Sequence, residues 1–267
     1  MEKDQQENGE WNQVLSLRSG ETLYNELSGL SLWVTLLDKE WQIRHTRQAR
    51  TEEDIHWLQR RTYMLPGAEV DLTRFVRADN STRLQLAPRL ADRSVVIRPY
   101  HPFHVLPQNE CTIYVSTVLW MQVLVGEEGY CLTEMPIQVP SLTWLGRNTQ
   151  EGDICYASGT SARLALEALP RRPWRAITAV RILNRGKDAL KFERFSLPAL
   201  HLPLFQGEKR GLWTPAITVT CDKDLTTARM DIATKAPAAA GEHRLISQAR
   251  QPVERGGLVR ALDRIFG

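Results

Sequence analysis

From about Leu30 onward, apolar and polar side chains alternate with a period of two and are punctuated by turn residues, and 3.6-residue stripes are scarce. That pattern predicts strands through most of the chain. LSLWVTLLDKEWQIRHT reads as two strands around Asp38-Lys39-Glu40, and DLTRFVRADNSTRLQLAP as two more around Asp79-Asn80-Ser81. TIYVSTVLWMQVLV and YCLTEMPIQV flank Gly126-Glu127-Glu128-Gly129, a four-residue turn. AITAVRILN and DALKFERFSL flank Arg185-Gly186-Lys187, where the glycine is expected to supply a positive φ. WTPAITVTCDKDLTTARMDIATK supplies a last pair. On AITAVRILN, alternation places Arg181 with Ile177, Ala179 and Leu183, an apolar company that predicts a snorkelling or carboxylate-paired guanidinium.

Two segments read as helix. TEEDIHWLQRR has Thr51 as N-cap, followed by Glu52, Glu53 and Asp54 at the positive end of the helix dipole. ERGGLVRALDRIF places Leu258, Leu262 and Ile265 on one stripe with Arg260 and Arg264 elsewhere, the pattern of a short amphipathic C-terminal helix. KAPAAAGEH before it reads as a linker. Prolines 99, 102 and 107 interrupt the pattern and suggest a crossing between sheets or domains. The expected fold is therefore all-β: two packed β-sandwich-like units, or one large sandwich, plus the C-terminal helix. The expected division is an N-terminal β unit at 1–98, a main β domain at 109–236, and a linker with helix at 237–267.

Composition narrows the function. Net charge is only +3, from 34 basic and 31 acidic residues, which argues against a protein that binds by neutralising nucleic-acid phosphates. The start MEKDQQENGE lacks the basic-then-apolar order of a secretory signal, and residues 115–126 (VSTVLWMQVLVG) are too few for a bilayer span, so a soluble cytoplasmic chain is expected. Cys111, Cys131, Cys155 and Cys221 are widely spaced with no C-x-x-C pair, as free, half-buried thiols would be. His101 and His104 in HPFH fall on opposite faces of an extended segment, so no metal ligand set is assigned. Nucleophile-elbow, phosphate-loop, dinucleotide and zinc-protease signatures are absent from the sequence; no catalytic residue and no cofactor is assigned.

One stretch concentrates chemistry, SLTWLGRNTQEGDICYA at 141–157. Leu142 and Trp144 share one strand face, Ile154 and Tyr156 share one on the returning strand, and 146–152 connect them. The simplest reading is a strand-connecting turn. The alternative is a binding pocket, for a small molecule or carbohydrate or for hydrolysis, formed by Trp144, Arg147, Glu151, Asp153 and Tyr156, with the arginine clamping an anion and the aromatics stacking. Alternation also places Trp33, Trp120 and Trp144, three of eight tryptophans, among strand residues that call for burial.

The order RLADRSVVIRP, STVLWMQVLV, LTWLG with EGDICYA, AVRILNRGKDALKFERFSLPALHLPLF and LWTPAIT resembles an archaeal and bacterial family, domain of unknown function 432, over about Ala87 to Phe266. Asp153 stands where the resemblance implies a glutamate. The family brings no established activity and no catalytic residues. Its members resemble soluble proteins often encoded beside small-conductance mechanosensitive channels. The resemblance thus implies a non-enzymatic accessory module for the cytosolic portion of such a channel, peripheral to the inner membrane through that partner. Exposed strand edges and the C-terminal helix are the expected contacts, and a weaker reading sets Arg255, Arg260 and Arg264 of that helix against anionic lipid.

Overall fold

The computed structural model describes residues 6–48, 56–146, 148, 150–208, 211–223, 227–252, 258–261 and 265–266. The protein is all-β. In chain order the strands are β1 (Gln6–Asn8), β2 (Val14–Ser16), β3 (Thr22–Leu27), β4 (Leu30–Leu37), β5 (Glu40–Arg47), β6 (Trp57–Thr62), β7 (Leu72–Val76) and β8 (Arg83–Arg89). They continue as β9 (Val95–Pro99), β10 (Phe103–Val105), β11 (Glu110–Val118), β12 (Trp120–Val125), β13 (Tyr130–Pro136), β14 (Leu142–Gly146), β15 (Gly152–Ala162) and β16 (Arg175–Asn184). The last are β17 (Leu190–Phe192), β18 (Phe195–Leu197), β19 (Leu204–Gln206), β20 (Leu212–Trp213), β21 (Ile217–Cys221), β22 (Thr227–Ile232), β23 (Arg244–Ser247) and β24 (Leu258–Ala261). Helix among the described residues is limited to short 3-10 turns, as at Leu166–Ala168 and Ala238–Ala240.

The chain divides into two units, 1–89 with 120–138, and 90–119 with 139–267. The division therefore falls at three points in the chain, and the 99–108 segment lies inside the second unit. The expected single strand TIYVSTVLWMQVLV is split by Leu119 into β11, in the second unit, and β12, in the first.

In the first unit a six-stranded sheet, β1-β6-β3-β4-β5-β7, accompanies a four-stranded sheet, β13-β12-β8-β2. The expected β4–β5 and β12–β13 hairpins are present. Gly126 and Gly129 take positive φ, 77° and 68°, in the turn between β12 and β13. Leu23, Leu32, Val34 and Leu36 of the larger sheet and Leu84, Leu86, Met121 and Val123 of the smaller are all buried, each aliphatic side chain contributing about 1.5–3 kcal/mol. Arg47 fastens the two sheets by donating to the carbonyls of Pro136 and Ile137. Two sequence expectations change here. β7 and β8 are not a hairpin, because β7 pairs with β5 and β8 with β12 and β2. Trp57–Thr62 is a strand between β1 and β3, and the Thr51 cap with Glu52, Glu53 and Asp54 lies outside the described residues.

The second unit holds an eight-stranded sheet, β23-β19-β20-β16-β21-β22-β24 with β11 also on β16, a four-stranded sheet, β14-β15-β9-β18, and the pair β10-β17. β11 and β16 pair from Glu110↔Leu183 to Val118↔Arg175. The buried face of β16 carries Ala176, Thr178, Val180, Ile182 and Asn184, so Arg181 lies on the more open face, where it donates to both carboxylate oxygens of Glu110 at 2.8 and 2.6 Å.

β17 does not return along β16; it pairs with β10. Gly186 is not among the positive-φ glycines. The buried Asn184 amide organises that turn instead, accepting from the Gly186 N–H at 2.9 Å and donating to the Asp188 carbonyl at 2.9 Å. The C-terminal segment is a strand where a helix was expected: β24 runs antiparallel to β22 from Thr227↔Ala261 to Met230↔Leu258. Ile265 and Phe266 are buried, and the Phe266 ring lies 5.7 Å from Phe192 and 6.1 Å from Phe195. Nor is 235–243 a free linker, since Ala236 and Ala240 join a core with Phe205 and Trp213. Among the described residues no helix is long and apolar enough to cross a membrane.

Candidate functional site

The stretch singled out by its chemistry is the hairpin β14–β15 of the second unit, with Leu142 opposite Tyr156 and Trp144 opposite Ile154. Two close approaches shape its end. A methyl group at Gly152 would come 2.5 Å from the Leu145 carbonyl oxygen and 2.7 Å from Trp144 Cε2, and one at Gly146 would overlap the Glu151 carbonyl. The glycines therefore let the two backbones close under the Trp144 indole. Trp144 Nε1 donates to the Asn148 carbonyl at 2.8 Å. Asn148 Oδ1 accepts from the N–H groups of Gln150 and Glu151, both at 2.8 Å, which is an Asx turn. The indole, the two glycines and the asparagine thus serve the turn itself.

The two faces of the hairpin differ. Leu145 and Cys155 are buried with Val96 of β9. The opposite face is open: Leu142 is 64% exposed, Ile154 52% and Trp144 39%. Trp144 therefore lies on the outer face, whereas Trp120 is buried as expected and Trp33 is half-buried. Tyr156 continues the outer face, and its hydroxyl donates to Asp92 Oδ1 at 3.0 Å. Partial burial and the Asp92 carboxylate push the Tyr156 phenol above its ordinary range, so it stays a neutral donor.

The structure brings together Trp144 and Tyr156, on one face with Leu142 and Ile154. Asp153 stands opposite Leu145 and so belongs to the other face, and Glu151 sits exposed in the turn. Arg147 lies outside the described residues. Binding through an apolar surface is the chemistry this arrangement offers.

Sequence reasoning passed over a second feature, a cleft of about 710 Å³ in the first unit that includes Trp41, Phe75 and Tyr130. Two of these aromatics lie on strands that end their sheets, Phe75 on β7 and Tyr130 on β13. That adjacency depends on how the sheets are ordered, for which local alternation carries no signal. Among the described residues no group of three or more His, Cys, Asp or Glu side chains is placed to hold a metal ion.

Fold and site define an all-β protein of two multi-sheet units, one of which displays an open apolar hairpin. The chain belongs to the family DUF432, described as a protein of unknown function, whose model matches residues 11–266. The match thus takes in the first unit as well as the stretch from Ala87 on which the resemblance was drawn. No curated protein and no solved structure matches the chain.

Proposed function

We propose that this chain is a non-enzymatic interaction module that docks a protein partner on the outer face of the β14–β15 hairpin. One observation carries the reading: Leu142, Trp144 and Ile154 form an apolar cross-strand patch left open to water, where a hairpin of purely structural use would place polar side chains. The neighbouring edge supports it. β14 ends its sheet, and Leu142–Gly146 carries no charge, proline or other guard against pairing with another chain. The partner we assign is the cytosolic portion of a small-conductance mechanosensitive channel, on the strength of the family resemblance, with the protein cytoplasmic and held at the inner membrane through that channel.

The test is affinity purification of tagged protein from native membranes in mild detergent at low salt, beside a Leu142→Glu/Ile154→Glu variant. Wild type is expected to recover a channel subunit, and the variant, with unchanged circular dichroism, to recover on the order of tenfold less. Recovery without any channel subunit overturns the partner; equal recovery by the variant overturns the surface.

A further inference from the structure

The cleft of the first unit lies where β5 and β7 of one sheet come near the β12–β13 turn of the other. Its volume, about 710 Å³, is in the range of specific binding pockets. Trp41 and Val125 are its buried members, while Val76 and Tyr130, 86% and 71% exposed, stand at its open side. Both sheets of the unit end here, one in β7 and the other in β13. On β13 a bulge adds one residue: Thr133 faces Val123 and Cys131 faces Leu124, so Leu132 is extra, and it lines the cleft.

The edge of β7 has a defined phase. The Arg77 N–H donates to the Lys39 carbonyl at 2.9 Å. Because ladder bonds alternate along an antiparallel pair, Val76, Arg74 and Leu72 direct their N–H and C=O groups away from β5, toward the open edge. The same alternation sets Phe75 beside Trp41, its partner in register, on the cleft side. Among the described residues no backbone group pairs with this outward row, so β7 presents donors and acceptors next to an apolar hollow.

Charge selects the occupant. Asp79, Glu127 and Glu128 line the cleft. Arg77 pairs with Asp79 at 3.3 Å and Arg83 with Glu127 at 3.0 Å. Glu128 has no ion-pair partner among the described residues, so the rim keeps one carboxylate in excess. A sugar fits less well, because the Arg77 guanidinium lies 5.9 Å from the centre of the Trp41 ring, next to the buried aromatic on which a sugar would stack.

We propose that this cleft receives an extended segment of a partner protein that adds to β7 as a new strand, with the side chains of one phase entering the cleft, apolar ones toward Phe75 and Leu132 and a basic one meeting Glu128. The proposal is independent of the hairpin reading, from which it shares no residue.

The probes are fluorescent octapeptides with Val, Leu or Phe at three alternate positions, Lys at the fourth position of the same phase and Ser or Thr between them, read by anisotropy at physiological salt. Their counterparts carry Glu in place of that Lys, or N-methyl groups on every second amide, in either phase. The Lys series is expected to bind on the order of tenfold tighter than the Glu series, with affinity lost for one N-methyl phase and kept for the other. Val76→Pro removes an outward N–H without touching the β5 ladder and is expected to weaken the Lys series by a similar factor, while Glu128→Lys is expected to abolish the preference for Lys over Glu. Absence of binding, equal affinity for the two series, or indifference to both N-methyl phases overturns the proposal, as does full binding by folded Val76→Pro. Should Val76→Pro not fold, the N-methylated probes on wild-type protein decide.

Discussion

At residue scale, the hairpin end shows how small side chains and one large one are matched. The Gly152→Ala variant is expected to lose about 1–3 kcal/mol, because its new methyl group meets the Leu145 carbonyl and the Trp144 ring. Trp144→Ala removes the bond to Asn148 and is expected to cost about 1 kcal/mol, with faster amide exchange confined to 146–152; urea unfolding and hydrogen exchange measure both. A different residue sets part of the alkaline behaviour. Burial, with the Asp222 charge adding to it, pushes the Cys221 thiol from 9.0 up to about 12. The folded protein keeps a proton that the unfolded chain releases above about pH 9, so this contribution is whole below that pH and is lost as pH rises toward about 12. Cys221→Ala is therefore expected to flatten the decline of urea stability between about pH 8 and 11. The sequence showed that Leu142 and Trp144 share a face, as do Ile154 and Tyr156. It did not show that this face is the open one, because a period of two says which side chains travel together and is silent about what covers them.

At the scale of elements, local strand pairs were legible and sorted ones were not. β4–β5, β12–β13, β14–β15 and β21–β22 are joined by short turns, and alternation with turn residues found each of them. β7 and β8, or β16 and β17, look the same in sequence, yet each pair separates into different sheets. The C-terminal stripe misled for a related reason. Leu258 and Ile265 fit a helix, but β22 offers an edge, and the ladder to Leu258–Ala261 with burial of Phe266 outweighs helix propensity. Phe266→Ala is accordingly expected to destabilise the second unit by about 3–5 kcal/mol in urea, the cost of a vacated aromatic site. Arg181→Ala, by contrast, removes an ion pair whose partners are both about half exposed, and is expected to change stability by less than about 1 kcal/mol, an effect that shrinks further in salt.

At the scale of the molecule, the chain divides into two compact units, each assembled from separated stretches of chain. Composition and hydropathy have no means of marking such a return, since 120–138 looks like any other hairpin. The arrangement makes a fragment of residues 1–98 incomplete: without β12 and β13, the smaller sheet of the first unit is reduced to β8 and β2. That fragment is expected to bind hydrophobic dyes and to melt without a cooperative transition. A fragment ending at 138 contains every strand of the first unit and is expected to melt more sharply.

The same discontinuity orders events on the ribosome. The first unit has all its strands once residue 138 has emerged, whereas β9, β10 and β11 are already synthesised by then and must wait for β15, β16, β17 and β18. During that interval three nascent segments, Val95–Pro99 and Glu110–Val118 apolar among them, have no native neighbour. Synthesis of this protein is thus expected to pass through a window in which these segments are open to chaperone capture and to aggregation.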